Sequence, residues 1–469
     1  AMAEVKYAHQ NIGFEAIDLA NGLFRVTNRF YFTNLKKYMV HYSVTANNKV
    51  VRSGKVSLDI EPQASKEFTV PVGNLKPQAG TEYFVNFNVT TVEKEPLIPI
   101  GHEIACDQFR LPIESPKKAF KTSGPKLTVS TNGDNLSASS SKVNFMFNKK
   151  TGIVTSYKVD GTEYFSEGFG IQPNFWRAPT DNDYGNGMPK RLQVWKESSK
   201  NFNVTDATVT MDGNNAVVNV NYLLPAGNLY IVNYTIYPSG AVNVAARFTS
   251  TDMDAAQTEV SESTRTATFT PGRDAARKEA SKLNVPRIGV RFRLPASMNQ
   301  VEYFGRGPAE NYLDRNAGSM VGLYKSTAEE LYFPYVRPQE NGHHTDTRWV
   351  SLSTGKKGLL IQADNTIGFN ALRNSIEDFD DEEATGLSRQ WSNFTPEQVA
   401  NHDEAAAKNV LRRQHHINDI TPRDFVEVCV DLKQQGVAGY DSWGSRPEPA
   451  YTLPANREYN WGFTLIPLK

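Results

Sequence analysis

Three segments of this chain are denser in hydrogen-bonding and aromatic side chains than their surroundings. The first is Asn174-Phe175-Trp176-Arg177-Ala178-Pro179-Thr180-Asp181-Asn182-Asp183-Tyr184-Gly185. The second runs from Tyr303 through Gly307-Pro308-Ala309-Glu310-Asn311-Tyr312-Leu313-Asp314-Arg315, with a related piece at Pro334-Tyr335-Val336-Arg337-Pro338-Gln339-Glu340-Asn341-Gly342. The third is Gly439-Tyr440-Asp441-Ser442-Trp443-Gly444. Each mixes aromatics, carboxylates and amides with loop-forming Gly or Pro. Carbohydrate sites use this mixture: carboxylates and amides pair with hydroxyls, and an aromatic ring takes the C–H face of the sugar. The same residues could instead form buried polar networks that brace loops, since Asn and Asp favour turns. Residue types alone do not separate the two readings.

Other reactive-looking patterns read as structural. Gly305-Arg306-Gly307 opens like a dinucleotide-binding loop. The third glycine is missing, Pro308 interrupts and no strand–helix–strand unit surrounds it, so a tight turn is expected. His343 and His344, near Asp346 and Arg348, could suggest an acid–base or metal cluster. Adjacent residues on a strand point to opposite faces, so the two imidazoles would not chelate one ion. His415 and His416 follow the same logic, and no metal site is expected. The acidic run Asp378, Asp380, Asp381, Glu382 and Glu383 reads as a solvated face. Cys106 and Cys429, far apart in apolar contexts, read as two buried free thiols.

Composition narrows the partners. Lys plus Arg equals Asp plus Glu at 51 each, so the basic excess of a phosphate-tracking protein is missing. Neither nucleic acid nor an anionic membrane surface is expected as a partner. No apolar run approaches the roughly 20 residues that span a bilayer. No signal peptide opens the chain, although the start at Ala1-Met2-Ala3 would fit a chain whose native leader was removed. At 469 residues, two to four domains are expected. Aromatics make up 11%, which suits β-structure.

The elements that must position the three segments are short alternating strands. Residues 23–32 open the pattern, residues 38–46 alternate, Asn47-Asn48 turns, and residues 49–56 return, which is a hairpin signal. Further strands are expected at 67–72, 83–91 and 103–111. Residues 1–112 therefore read as an immunoglobulin-like sandwich without the Cys and Trp signature of true immunoglobulin domains. A linker follows over 113–125. Residues 126–469 carry antiparallel strand patterns with no second boundary, as one large two-sheet β-sandwich would. Insertions are expected near 249–284 and 377–416, the second with a helix from Pro396 to His415 that Thr395 caps. The fold class is all-β.

At Trp176-Arg177-Ala178-Pro179 with Asp181-Asn182-Asp183, at Gly305 to Tyr312 with Asp314-Arg315, at Pro334-Tyr335 with Pro338 to Gly342, and at Asp441-Ser442-Trp443, the sequence resembles the C-terminal region of glycoside hydrolase family 2 β-galactosidases. The motifs come in the family's order and cover most of the chain from Lys126 onward. The resemblance implies an immunoglobulin-like domain followed by a supersandwich related in fold to galactose mutarotases. It implies that this sandwich packs against a catalytic barrel and completes one side of a galactoside pocket. On that basis Trp443 lines the pocket, joined as substrate contacts by Asp441, Asp181, Asn182, Asp183 and Gly185. It also implies motion in the loop from Gly185 onward, where Gly185-Asn186-Gly187-Met188-Pro189 departs from the family's sequence.

A retaining glycosidase needs two carboxylates about 5 Å apart. The family carries both on barrel strands, the acid/base in an Asn-Glu pair. No Asn-Glu dipeptide occurs in this chain, and no β/α alternation exists to build a barrel. The chain is therefore expected to be a non-catalytic part of a larger enzyme, with no catalytic residue and no cofactor of its own. The resemblance places magnesium and sodium ions near the parent's barrel. Expected partners are that barrel, a galactoside and further copies of the chain, in a bacterial cytoplasm or periplasm. The alternatives are a stand-alone sugar mutarotase or epimerase, with His343 or His344 and Glu340 as its acid–base pair, and a carbohydrate-binding module.

Overall fold

The computed structural model describes residues 2–249, 284–380, 416–441 and 444–469. Trp443, Asp381 to Glu383, most of the expected insertion at 249–284 and the expected helix from Pro396 to His415 lie outside them. The described chain is all-β and forms two compact units. The first comprises residues 1–120 together with 304–309 and 315–324; the second comprises 121–303, 310–314 and 325–469.

The first unit opens with a short helix, α1 (Met2–Ala8), and residues 1–120 of it contain seven strands: β1 (Ile12–Asp18), β2 (Leu23–Asn28), β3 (Tyr38–Ala46), β4 (Lys49–Val56), β5 (Ser65–Thr69), β6 (Tyr83–Thr91) and β7 (Glu103–Arg110). They form a three-stranded sheet in the order β1-β2-β5 and a four-stranded sheet in the order β4-β3-β6-β7. The chain crosses between sheets after β2, after β4 and after β5, as in immunoglobulin-like sandwiches. The β3–β4 hairpin turns at Asn47 and Asn48 with φ of 43° and 71°, the left-handed pair that a two-residue hairpin requires. Inward residues of both sheets meet in an aromatic core. Phe14 stacks on Phe87 at 4.4 Å, and Phe24 meets Phe87 edge-on at 4.9 Å. Cys106 departs from expectation: β7 is an edge strand, so its thiol is only half-buried.

The second unit begins with a five-stranded meander, β8 (Thr128–Asn132), β9 (Asn135–Ser139), β10 (Val143–Asn148), β11 (Ile153–Val159) and β12 (Thr162–Glu163). A larger sheet runs in the order β13-β18-β23-β22-β24-β17-β16-β15-β14. Its strands are β13 (Gln172–Asn174), β14 (Asn203–Asp212), β15 (Asn215–Leu223), β16 (Leu229–Ile236), β17 (Val242–Thr249), β18 (Arg287–Pro295), β22 (Gly358–Leu372), β23 (Phe425–Gln434) and β24 (Tyr459–Leu468). β21 (His344–Ser353) pairs with β22, β19 (Gln300–Gly307) pairs with β21, and β20 (Met320–Thr327) pairs with β19. Neighbouring strands pair antiparallel, for example from Ala216↔Ile236 to Leu223↔Leu229 between β15 and β16. β15 buries every second residue, the signature of a strand with one face on a core. The buried tyrosines keep their hydroxyls satisfied: Tyr157 donates to the Gly240 carbonyl at 2.6 Å and Tyr222 to that of Gly152 at 2.9 Å.

Two expectations are corrected. Of the turn expected over Gly305 to Glu310, Gly305 to Gly307 are the end of β19, and the chain bends only at Pro308 and Ala309. Arg306 donates to the carbonyls of Asn316 and Ser319 at 3.1 and 2.8 Å, which holds the run extended. The acidic run is not a solvated face where it is described. Asp378 and Asp380 are buried because cations reach them: Arg423 pairs with Asp378, and Lys196 lies 2.7 Å from Asp380. No helix among the described residues is long and apolar enough to cross a membrane.

Candidate functional site

The first and third motif segments, and Glu310 to Asp314 of the second, converge within the second unit. The first leaves β13 and enters a one-turn helix, α2 (Asp181–Gly185), whose start is fixed by a capping box. Thr180 Oγ1 accepts from the Asp183 amide at 3.1 Å, and Asp183 Oδ2 accepts from the Thr180 amide at 2.9 Å. Both Asp183 and Arg177 are fully buried, and they form a two-pronged pair at 2.8 and 3.1 Å. Burial pushes the Asp183 carboxyl pKa up, against the pull of Arg177. Arg177 also donates to the Gly436 carbonyl at 3.3 Å, tying this segment to the chain just before the third one.

The second segment supports the same loop. Asp314 accepts from the amides of Val437 and Ala438 at 3.0 and 2.7 Å. Ala438 has a left-handed φ of 51°, and these bonds hold it there. A Cβ on Gly436 would stand 2.4 Å from an Asp314 carboxylate oxygen, so only glycine fits. Glu310 accepts from the Gly342 amide at 2.8 Å and from the hydroxyl of Tyr335.

Beneath these loops lies a buried ionic cluster. Arg287 reaches Glu340 at 3.0 Å, Asn370 at 3.0 Å and Asp431 at 3.2 Å. Gln434 donates to Glu340 at 2.9 Å. His343 Nδ1 lies 2.8 Å from Asn370 Oδ1 and 3.9 Å from Asp431. Burial pushes the Asp431 pKa up to about 7, with Arg287 pulling the other way. Burial and the nearby Arg287 charge hold His343 down to about 3. The cluster thus carries its exchangeable proton on the carboxylate rather than the imidazole at mildly acidic pH. Glu340, His343 and His344 are all buried, and their described bonds go to other residues of this unit. Glu340 borders only a small cavity of about 20 Å³, which His343 and His344 do not line, so the proposed mutarotase pair does not share a space large enough for a sugar.

The predicted substrate contacts divide. Asp181 is exposed at the helix start, where Arg337 pairs with it at 3.3 Å and also lies over the Tyr184 ring at 4.0 Å. Asn182 donates to the carbonyls of Val437 and Ser445 at 3.2 and 2.8 Å. Gly185 meets Gly444 backbone to backbone; a Cβ on Gly444 would stand 2.5 Å from the Gly185 carbonyl carbon. Asp441 is exposed and accepts from the Ser445 amide at 3.0 Å. These four are brought together on one rim. Asp183 is not on it: a carboxylate closed in by Arg177 and Thr180 braces the helix and offers nothing to a ligand. Trp443 lies outside the described residues.

Opening off the rim, and sharing Gly185 with it, is a depression of about 430 Å³ lined also by Asn186, Tyr440, Gly444, Arg446 and Glu448. Sequence reading missed the stretch from Arg446 to Pro449, which carries no pattern beyond two prolines, whereas Asn186 stood in the loop from Gly185 onward. Tyr440 stood in the third segment, where its mix with Asp441 was the available signal. Among the described residues no group of three His, Cys, Asp or Glu side chains is placed to hold a metal ion.

Residues 139–465 match the family described as β-galactosidase small chain, a span that takes in all the motif segments. The chain belongs to this family. Residues 24–112 match β-galactosidase domain 4, which covers most of the seven-stranded sandwich. The chain is 31% identical over 471 residues to a β-galactosidase of Priestia megaterium, covering 100% of the chain and 40% of that protein. It is 24% identical to one of Streptococcus thermophilus, covering 99% and 39%. A β-galactosidase of Kluyveromyces lactis is 29% identical over 342 residues, covering 69% and 30%. The chain therefore spans about 40% of the length of the first two of these relatives. A galactose 1-epimerase structure from Lactobacillus acidophilus superposes over 73% of the chain and 98% of its own, with a TM-score of 0.34 and 8% identity.

Proposed function

We propose that this chain is the non-catalytic C-terminal part of a retaining β-galactosidase, and that it braces a catalytic barrel and completes the galactoside pocket. The observation that carries the reading is the convergence of the family's motif segments on one rim, with Asp181, Asn182, Gly185 and Asp441 at its edge. Residues buried beneath the rim fix its shape, and those at its edge meet the sugar. Trp443, next in sequence to Asp441 and Ser442, supplies the aromatic wall. The two carboxylates that a retaining mechanism requires about 5 Å apart belong to the barrel, and so do the parent's metal ions. The contribution of this chain is binding: hydroxyl recognition by side chains held still before the substrate arrives.

Two measurements test this. The isolated chain should not hydrolyse a chromogenic β-galactoside, and turnover by the chain alone would overturn the assignment. In the full-length parent, Trp443→Ala should raise KM for galactosides by about tenfold, as loss of an aromatic contact worth about 1.4 kcal/mol would do. Unchanged affinity would remove Trp443 from the pocket.

A further inference from the structure

The depression beside the rim presents Tyr440 with 66% of its surface exposed. A single exposed aromatic is ordinary on a protein surface. The way this one is held is not. The phenol donates to the Arg446 carbonyl at 3.0 Å, so the ring is pinned at its far end. On one side of it, Ala438 and Gly439 are left-handed at φ of 51° and 91°, and Asp314 fixes the Ala438 amide. On the other side, the Ser445 carbonyl accepts from Asn182 at 2.8 Å and from Asn186 at 3.3 Å, and the Ser445 hydroxyl accepts from the Gly439 amide at 3.3 Å. Gly444, left-handed at 82°, presses onto Gly185. Backbone strain and these ties hold Ala438, Gly439, Gly444 and Ser445 around Tyr440 while its ring stays in solvent. A fold that needed Tyr440 only for stability would bury the ring.

The walls around the ring are polar. Arg446 and Glu448 bring one charge of each sign to the depression, and Asn186 closes the side toward α2. Opposite charges give no net preference for an ion but offer donors and acceptors to a neutral polyol. The volume of about 430 Å³ lies in the range of small-molecule sites, roughly 300–1,000 Å³. We propose, resting on the galactosidase reading, that the Tyr440–Arg446–Glu448 depression is a secondary carbohydrate site that takes a pyranose unit of an oligosaccharide. The sugar lays its C–H face on Tyr440 and directs hydroxyls to the Arg446 guanidinium and the Glu448 carboxylate. No covalent step is involved. The site lengthens the path over which a glycan chain is held beside the rim.

Saturation-transfer difference NMR on the 469-residue chain, with lactose and cellobiose as probes, tests this. Both disaccharides should show transfer. Tyr440→Ala should reduce it at least tenfold, while Tyr440→Phe, which keeps the ring and loses only the hydroxyl ties to Arg446 and Glu448, should retain most of it. Tyr31→Ala, at an exposed tyrosine in the other unit, should leave it unchanged. Because the Tyr440 ring is exposed, Tyr440→Ala should keep the thermal midpoint of the parent chain, which separates lost binding from lost folding. Absence of transfer with both sugars, or equal transfer in Tyr440→Ala, would overturn the proposal. Its failure is distinct from failure of the galactosidase reading, because hydrolysis by the full-length parent and its dependence on Trp443 are measured without reference to Tyr440.

Discussion

Asp431 and His343 sit 3.9 Å apart in a site closed to water, and their perturbations have opposite consequences for pH dependence. Asp431 is raised from its ordinary value of 3.8 to about 7, so its stabilising contribution is complete below about pH 4 and is lost as pH rises through 7. His343 is lowered from 6.5 to about 3, so its contribution is complete above about pH 6.5 and is lost as pH falls through 3. Between about pH 4 and 6.5 the two slopes oppose each other. Urea unfolding of Asp431→Asn should therefore show stability climbing more steeply with pH across that window than in the parent chain, since the imidazole is then unopposed by this carboxylate. His343→Asn should show the reverse, and parallel profiles in both variants would refute the assignment. The Arg177–Asp183 pair belongs to the same scale. Arg177→Met leaves a buried carboxylate without its cation and should cost about 3–5 kcal/mol, read as a lowered urea midpoint. Neither pairing was legible beforehand. Arg177 and Asp183 both stood in a motif, but residue types could not say that Asp183 turns inward while Asp181, two residues earlier, turns out.

At the scale of elements, α2 is too short to hold itself and depends on its ends. Thr180→Ala removes the cap and should cost about 1 kcal/mol, measurable by denaturant titration. Gly444→Ala should cost more. Its left-handed backbone disfavours a side chain and the Gly185 backbone occupies the space. The hairpins and the immunoglobulin-like order were readable because period-2 alternation and an Asn-Asn turn are local signals. The extended Gly305–Gly307 run was not, because Arg306 holds it through carbonyls ten and more residues away. The buried acidic pair Asp378 and Asp380 escaped for the same reason: Arg423 and Lys196 lie far off in sequence. The strand ends also expose what packing leaves over. Tyr38 pairs with Thr91, so the loops before β3 and after β6 leave the sandwich at one end. There Phe32 and Leu97 are almost wholly exposed. Phe32→Ser combined with Leu97→Ser should reduce light scattering of the isolated chain while changing its stability by no more than about 0.5 kcal/mol.

At the scale of the molecule, the first unit is not one stretch of chain. It takes in 304–309 and 315–324. Glu4 accepts from the Gly318 amide at 2.7 Å, and Gln108 both donates to the Val321 carbonyl and accepts from its amide, each at 2.8 Å. A linear reading of composition cannot find such a closure, because the joining bonds span over 200 residues. Residues 1–120 expressed alone should unfold at a lower temperature than residues 1–120 supplied with a 304–324 peptide, and an equal midpoint would show that the late segments add nothing.

That closure also has a history within each molecule's lifetime. A ribosome adds about 5–20 residues per second, so residue 324 follows residue 120 by roughly 10–40 s. Through that interval the nascent sandwich waits with Glu4 and Gln108 lacking the amides that will answer them. Its folding clock is set by translation of the other unit, and rare codons between those points would lengthen the time in which chaperones can reach it.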